Sequence, residues 1–215
     1  MPKPSEASVL TNQSYFHTQL VTNGVHVIDF DAWFVKQKPF AAYPLIPKYG
    51  AHWSTYGAAL AADSILKVIQ SIKNKTYSSF NIHKVEKSEK AKFTDDDYLA
   101  SLNLMKKWPS PSMAYPSLKF IGGKKPNVLI VSDSFIWNLF DLEIFQNCFD
   151  SKSQVWYYNK TVFDYGKNNM GPVSASLPIN AIQNRDIIIL IATGPSLKDF
   201  GYNFFEQVKT LDRDE

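Results

Sequence analysis

Short apolar runs recur along the chain, and the strongest two are apolar at every position. Residues 128–131 read Val-Leu-Ile-Val, and residues 187–191 read Ile-Ile-Ile-Leu-Ile. A strand is continuously apolar when both faces of its sheet are covered. Three further runs have weaker strand character. The pattern therefore predicts five strands, at residues 25–30, 80–85, 127–132, 154–158 and 186–192.

Helical patterns lie between and after these strands. Residues 58–72 place apolar side chains at 3.6-residue spacing, which predicts a helix with one buried face. Thr94 followed by three aspartates predicts the capped start of a second helix, which ends near Pro109. Two more helices are expected at residues 134–149 and 204–211. Strands that alternate with helices predict a three-layer α/β/α fold with a mainly parallel sheet, formed as one domain over residues 1–215.

Two segments rich in proline are predicted to be long connecting loops, at residues 35–51 and 107–125. Long loops in a small domain are often functional. The first of them leads directly into His52.

The composition narrows the classes of function. The net charge of +3 over 215 residues is too small to indicate a nucleic-acid partner. A single cysteine, Cys148, excludes an intramolecular disulfide framework and a cysteine-based zinc site. No run reaches the roughly 18 apolar residues of a membrane span, so contact with a membrane would need segments outside this chain.

The first residues, Met-Pro-Lys-Pro-Ser-Glu-Ala-Ser, have neither the basic region nor the apolar core of a signal peptide. We therefore expect that the chain is a fragment of a longer exported or membrane-anchored protein.

The most informative segment joins the apolar run at 128–131 to Ser132, Asp133 and Ser134. Ser134 is thereby placed at the carboxyl end of a central strand and the amino end of a helix, where α/β proteins bind ligands. Free backbone N–H groups there suit the stabilisation of an oxyanion. The alternative is that Asp133 or Ser134 only caps the helix.

His52 is the candidate base, because it follows the proline-rich loop and directly precedes the helix that Ser54 or Thr55 should cap. A nucleophilic serine needs such a base, since its hydroxyl is inert near neutral pH. The alternative is a surface histidine that only forms hydrogen bonds. The other histidines lie in helical or strand patterns without chemical companions.

Together the two segments resemble the SGNH hydrolase-like domain of alginate O-acetyltransferases, the branch of the SGNH/GDSL superfamily in which histidine precedes serine. The resemblance covers residues 24–204 and rests on His52-Trp53-Ser54-x-Tyr56-Gly57 and on Asp133-Ser134-Phe135. It implies that Ser134 is the nucleophile, that His52 is the base, and that no cofactor is needed.

The sequence departs from this family at the acid that orients the histidine. The family's aspartate falls two residues before the histidine, where this chain has Gly50. Three interpretations follow: another acid reaches His52, the site is a Ser-His dyad, or catalysis has been lost. Asp29 and Asp31, at the end of the first predicted strand, are the candidate acids. Asp133 and Asp63 are weaker candidates because of where they lie in the sequence.

Other residues could bind substrate or the oxyanion. The resemblance points to the backbone N–H of Ser134 and to a side-chain amide, for which Asn159 is the best-placed candidate. Asp133 is a further candidate at this position. Trp53 and Tyr56 belong to a group of aromatic residues that could stack on sugar rings or simply fill a core. The acids at 95–97 lack the glycine and distal glutamate of a calcium loop, so helix capping is expected and no metal site.

Three functions remain open. The first is an extracytoplasmic O-acetyltransferase or acetylesterase that acts on a cell-envelope or extracellular polysaccharide through Ser134 and His52. The second is a non-catalytic carbohydrate-binding or assembly module that has lost the triad. The third is a structural domain without a ligand. The location in the periplasm or cell envelope, and envelope assembly proteins as partners, are implied by the resemblance alone.

Overall fold

The computed structural model describes residues 11–102, 109, 111–173 and 180–211. A five-stranded mixed sheet lies at the centre, which confirms the α/β fold class. Its strands are β3 (Val128–Ser132), β4 (Gln154–Tyr157), β5 (Thr161–Phe163), β6 (Asn169–Pro172) and β7 (Ile187–Ile191). They are ordered β6-β5-β4-β3-β7. β3 pairs in parallel with β4 and β7, while β5 and β6 add an antiparallel edge.

The middle strand explains why the sequence pattern was continuously apolar. All four residues from Val128 to Val131 are completely buried. Val128 and Ile130 pack into the larger core, against α3 (Thr55–Lys73), α5 (Trp137–Asp141) and α6 (Ile144–Cys148). Leu129 and Val131 face a smaller core that includes Phe204 of α8 (Phe204–Leu211). Helices therefore cover both faces of the sheet at β3, as predicted, whereas the other continuously apolar strand, β7, leaves Ile188 exposed.

A two-stranded antiparallel ribbon stands apart from the sheet. It consists of β1 (Ser79–Ser88) and β2 (Met113–Ile121). The predicted strand at 80–85 belongs to this ribbon. The expectation of a loop at 107–125 was wrong over β2, because its prolines mask a strand whose residues Met113 to Tyr115 are buried. Pro116 is tolerated because a two-stranded ribbon has free edges.

Two other local predictions need correction. Residues 25–29 form no regular element, and helix α2 (Phe30–Gln37) begins where the first strand was expected to end. Asp29 caps that helix by accepting a hydrogen bond from the backbone N–H of Ala32. The helix expected at 134–149 is divided into a 3₁₀ turn (Ser134–Ile136), α5 and α6, with Glu143 in a left-handed conformation between the last two.

The second predicted helix is the short α4 (Asp97–Ser101), and residues 103–108 of its expected extent lie outside the described part. Two short helices, α1 (Asn12–Thr22) and α7 (Asn180–Gln183), and a 3₁₀ turn (Gly194–Asp199) complete the elements. Helices α3 and α8 lie where their patterns predicted them.

Candidate functional site

Ser134 lies at the carboxyl edge of the sheet, directly beyond β3. It is the first residue of a 3₁₀ turn and is partly exposed. The three parallel strands β3, β4 and β7 all end at this edge. The position matches the prediction from the apolar run, and it leaves the Ser134 hydroxyl accessible to a ligand in the crevice.

His52 is brought to Ser134 by the start of α3. Ser54 caps this helix by accepting a hydrogen bond from the backbone N–H of Gly57, and its hydroxyl donates to the carbonyl of Pro44 at 2.6 Å. Gly57 passes so close to the Leu45 carbonyl that no Cβ would fit. These contacts fix the loop before α3. The Nε2 atom of His52 then lies 2.7 Å from the Ser134 Oγ.

Asp97 occupies the other nitrogen of the same ring. Its Oδ2 lies 2.6 Å from His52 Nδ1, and its Oδ1 accepts the backbone N–H of Ala51 at 2.8 Å. A carboxylate accepts hydrogen bonds, so Nδ1 carries the proton and the lone pair of Nε2 faces the Ser134 hydroxyl. The His52 side chain is 12% exposed and that of Asp97 is 30% exposed. Ser134, His52 and Asp97 thus form a hydrogen-bonded chain.

This geometry replaces the expectation that Asp29 or Asp31 orients His52. Asp29 caps α2 and also accepts the side-chain amide of Gln13 at 3.2 Å. Asp31 lies in the first turn of the same helix and is exposed. Both ring nitrogens of His52 are already taken by Asp97 and Ser134.

The acids at 95–97 were expected to cap their own helix, and this was wrong: Asp96 is the N-cap residue but its side chain forms no capping hydrogen bond, and the other two reach elsewhere. Asp95 reaches across to α3, where it accepts the backbone N–H of Thr55 at 3.1 Å and a hydrogen bond from the Tyr115 hydroxyl. Asp97 reaches Ala51 and His52. The backbone N–H of Tyr98 donates to the Tyr49 carbonyl at 3.0 Å. The acidic segment is therefore bound to the loop that carries the base.

Asp95 has no exposed surface in the folded chain. Burial raises the pKa of its carboxyl group, because the charged form loses its hydration. Burial likewise raises the pKa of the neighbouring Tyr115 to about 12, so this phenol stays protonated and continues to donate. Asp95 is thus a structural acid beside the site, while Asp97 is the acid within it.

Asp133 was predicted as a substrate or oxyanion contact, and its carboxylate turns the other way. It is buried and accepts the backbone N–H of Phe135 at 3.1 Å, which caps the turn that begins at Ser134. Its second oxygen accepts both the N–H and the hydroxyl of Thr193, and the hydroxyl of Tyr202 at 3.2 Å. Asp133 therefore ties the segment after β7 to the turn that carries Ser134.

Asn159 was predicted to donate to the oxyanion, and its amide is committed elsewhere. It lies in the turn after β4 and is buried. Its Nδ2 donates to the Tyr202 carbonyl at 3.0 Å and to the Gln207 side chain at 2.7 Å. An amide nitrogen has two hydrogens, so both are used in fixing α8.

The predicted aromatic contacts belong mainly to the interior. Trp53 is 3% exposed and packs against Phe135 and Phe30, with ring centroids 5.2 and 5.8 Å apart. Its indole is thus a core side chain rather than a platform for a sugar. Tyr56 is half-buried and packs edge-to-face on Tyr43 at 5.0 Å.

The thiol of Cys148 is not a competing nucleophile. It is buried in the larger core, and burial raises its pKa to about 12, so the thiolate is not available near neutral pH. Among the described residues, no group of three or more His, Cys, Asp or Glu side chains could hold a metal ion. Within the same ranges, no helix is long and apolar enough to cross a membrane.

The arrangement can activate a hydroxyl for attack on an acyl group. Two of its three members, Ser134 and His52, were predicted from the sequence. Asp97 was missed as a site residue, although the run of aspartates at 95–97 was noticed. Its contact with His52 spans 45 residues. The signal that could have found it is the run of three adjacent aspartates, because the start of one helix does not need three acids.

Comparison with known proteins gives similarity to solved structures. No family model and no curated protein matches the sequence. The chain is similar in structure to the O-acetyltransferase domain of Pseudomonas putida AlgJ, with 17% identity, a TM-score of 0.47, and coverage of 93% of this chain and 72% of that one. It is also similar to Pseudomonas aeruginosa AlgX, with 10% identity, a TM-score of 0.45, and coverage of 84% and 43%.

Proposed function

We propose that this chain is a serine-dependent O-acetyltransferase or acetylesterase of the SGNH type. One observation carries the proposal: Ser134, His52 and Asp97 form a continuous hydrogen-bonded chain with links of 2.7 and 2.6 Å. A nucleophile bonded to a base, with the base oriented by a third group, is the arrangement that acyl transfer requires.

The reaction would proceed in two steps. Ser134 Oγ attacks the carbonyl carbon of an acetyl ester while its proton passes to His52 Nε2. The tetrahedral intermediate expels the alcohol, which takes the proton from His52 and leaves an acetyl group on Ser134. A sugar hydroxyl or water then attacks the acetyl carbon and gives its proton to His52. Ser134 Oγ leaves and recovers this proton, so the protein ends unchanged.

Asp97 would act through the base during both steps. It holds the proton on Nδ1, so that Nε2 is free to accept, and it stabilises the imidazolium that forms in each transition state. We assign one donor of the oxyanion hole to the backbone N–H of Ser134, at the start of the 3₁₀ turn.

The non-catalytic alternative rested on the glycine at position 50. The carboxylate of Asp97 makes the contact with His52 that the missing aspartate was expected to make. This contact supports the enzyme over the binding module. That the acceptor is a polysaccharide, and that the protein works outside the cytoplasm, is proposed from the resemblance of the two sequence motifs.

Hydrolysis of p-nitrophenyl acetate tests the proposal without knowledge of the natural acceptor. We expect Ser134→Ala to lower turnover at least about 10³-fold and to leave thermal unfolding unchanged. Ser64→Ala is the matched control, since the Ser64 hydroxyl donates to the Leu60 carbonyl within α3. Full turnover by Ser134→Ala would overturn the proposal.

A further inference from the structure

A buried polar pair connects the segment that carries the acid to the helix that follows the nucleophile. Asn138 lies on α5, four residues after Ser134, and has no exposed surface. Its Nδ2 donates to the Thr94 hydroxyl oxygen at 3.2 Å, and that hydroxyl lies 3.3 Å from Asn138 Oδ1. A buried amide costs free energy unless it is hydrogen-bonded, so an asparagine here needs this partner.

Of the three triad residues, Asp97 is the one whose own secondary structure does least to fix its position. His52 immediately precedes a helix of 19 residues, and Ser134 follows the fully buried strand β3. Asp97 is the first residue of α4, a helix of only five residues, and irregular turns connect β1 to that helix. Its position therefore depends on contacts with the rest of the fold, made by Asp97 itself, by the backbone of Tyr98 and by the side chains that precede it.

Those contacts divide between the two other members of the triad. Asp95 accepts a hydrogen bond from Thr55 at the start of α3, the helix that follows His52. Thr94 accepts a hydrogen bond from Asn138 on α5, the helix that follows Ser134. Thr94 is three residues before Asp97. Loss of the Asn138 contact would remove a hydrogen bond between this segment and the helix that follows Ser134, and would let the segment shift relative to Ser134.

We infer that Asn138 and Thr94 are positioning residues that set the register of Asp97 against the Ser134–His52 pair. The catalytic part of this inference rests on the proposed function. Neither side chain hydrogen-bonds to Ser134 or His52, so their effect is transmitted through Asp97. A misplacement of about 1 Å can lower a rate about 10²-fold.

Three variants separate positioning from stability. Thr94→Val keeps the shape of the side chain and removes the hydroxyl, while Thr94→Ser keeps the hydroxyl. The double variant Thr94→Val with Asn138→Leu replaces both polar groups by apolar ones, which avoids leaving a buried amide without a partner. Thr18→Val is the control, because the Thr18 hydroxyl donates to the Ser14 carbonyl on the exposed surface of α1.

The first measurement is steady-state hydrolysis of p-nitrophenyl acetate. We expect both valine variants to lose about tenfold to 10²-fold in kcat with KM unchanged, and Thr94→Ser to recover most of the loss. Wild-type kcat in the double variant, with normal thermal unfolding, would overturn the inference.

The second measurement does not require turnover. In a Ser134→Ala background, the proton shared by His52 Nδ1 and Asp97 should give a downfield imidazole resonance in the proton NMR spectrum. We expect the valine variants to broaden or lose this resonance, and Thr94→Ser to keep it. An unchanged resonance in the double variant would overturn the inference, whereas full turnover by Ser134→Ala would overturn only the proposed function.

Discussion

The backbone carbonyl oxygen of Thr94 lies 2.6 Å from the position that a Cβ on Gly50 would occupy. Pro47 Cγ lies equally close to that position, and Asp95 lies at 3.2 Å. The residue that the sequence suggested as a defect is therefore required for packing. The segment that excludes a side chain at position 50 is the same segment that delivers the carboxylate of Asp97 to His52.

The first prediction concerns this close approach. Gly50→Ala should destabilise the fold by about 1–3 kcal/mol, because the added methyl overlaps backbone that cannot simply rotate away. Turnover should fall as well, since Asp97 moves with Thr94. Gly122→Ala is the matched control, as nothing lies within 4 Å of its added Cβ. Thermal unfolding and ester hydrolysis are measured for both variants. Equal stability of Gly50→Ala and Gly122→Ala would contradict the prediction.

A second prediction follows for Gly50→Asp, which places an acid where the related motif has one. We expect lower activity rather than higher, because the side chain must displace the Thr94 carbonyl before it can approach His52. The measurement is kcat/KM on an activated acetyl ester. A rise above the wild-type value would show that Asp97 is a poor substitute for an acid at position 50.

The third prediction separates the candidate acids. Asp97→Asn should lower kcat by about 10³- to 10⁴-fold with the fold intact, because an amide cannot hold the Nδ1 proton in the same way. Asp31→Asn, at an exposed position of α2, should leave turnover unchanged. The comparison needs only steady-state kinetics and circular dichroism. Equal rates for the two variants would exclude Asp97 from the mechanism.

The fourth prediction concerns pH and Asp95. Since burial raises its pKa in the folded chain, the native state keeps this proton over a pH range in which the unfolded chain has lost it. Stability from this group is therefore present at acid pH and lost as pH rises through the raised pKa. Asp95→Asn should flatten that part of the profile of unfolding free energy against pH. An unchanged slope in chemical denaturation would contradict the assignment.

The fifth prediction concerns Asn159. If its amide only fixes α8, Asn159→Ala should cost about 1–3 kcal/mol of stability through two lost hydrogen bonds. The variant should keep kcat within about tenfold of wild type, whereas loss of an oxyanion donor costs about 10²- to 10³-fold. Gln207→Ala, which removes one of the same bonds, should behave alike. A selective collapse of kcat in Asn159→Ala would restore the oxyanion role.

The elements that the sequence predicted well are those with a strong local signal. The run from Val128 to Val131 in β3 is apolar at every position because helices cover both faces of the sheet there, and α3 shows its buried face in its own spacing. Strand β7 is apolar at every position as well, although Ile188 is exposed. Ser134 and His52 could be found for the same reason, since each lies at the end of such an element. Local sequence patterns identify each residue, and their order along the chain indicates that the two act together.

The features that the sequence did not predict depend on distant contacts. Strand β2 contains Pro116 and becomes a strand by pairing with β1, whose paired residues lie 25 or more positions earlier in the chain. Residues 25–29 have strand-like side chains, but the Asp29 cap and the packing of Phe30 and Trp33 start a helix beside them. Asp97 looked like a helix-capping acid, and only the folded chain shows it on the ring of His52.

The most direct test of the central claim is intact mass after brief exposure to an activated acetyl ester. The wild-type chain, Ser134→Ala, His52→Ala and Asp97→Asn should be compared in parallel. The account predicts one acetyl group on the wild type, located on Ser134 by peptide mapping, absent from the first two variants and strongly slowed in the third. A wild-type chain that is folded and stays unacetylated, or one acetylated equally in Ser134→Ala, would contradict it.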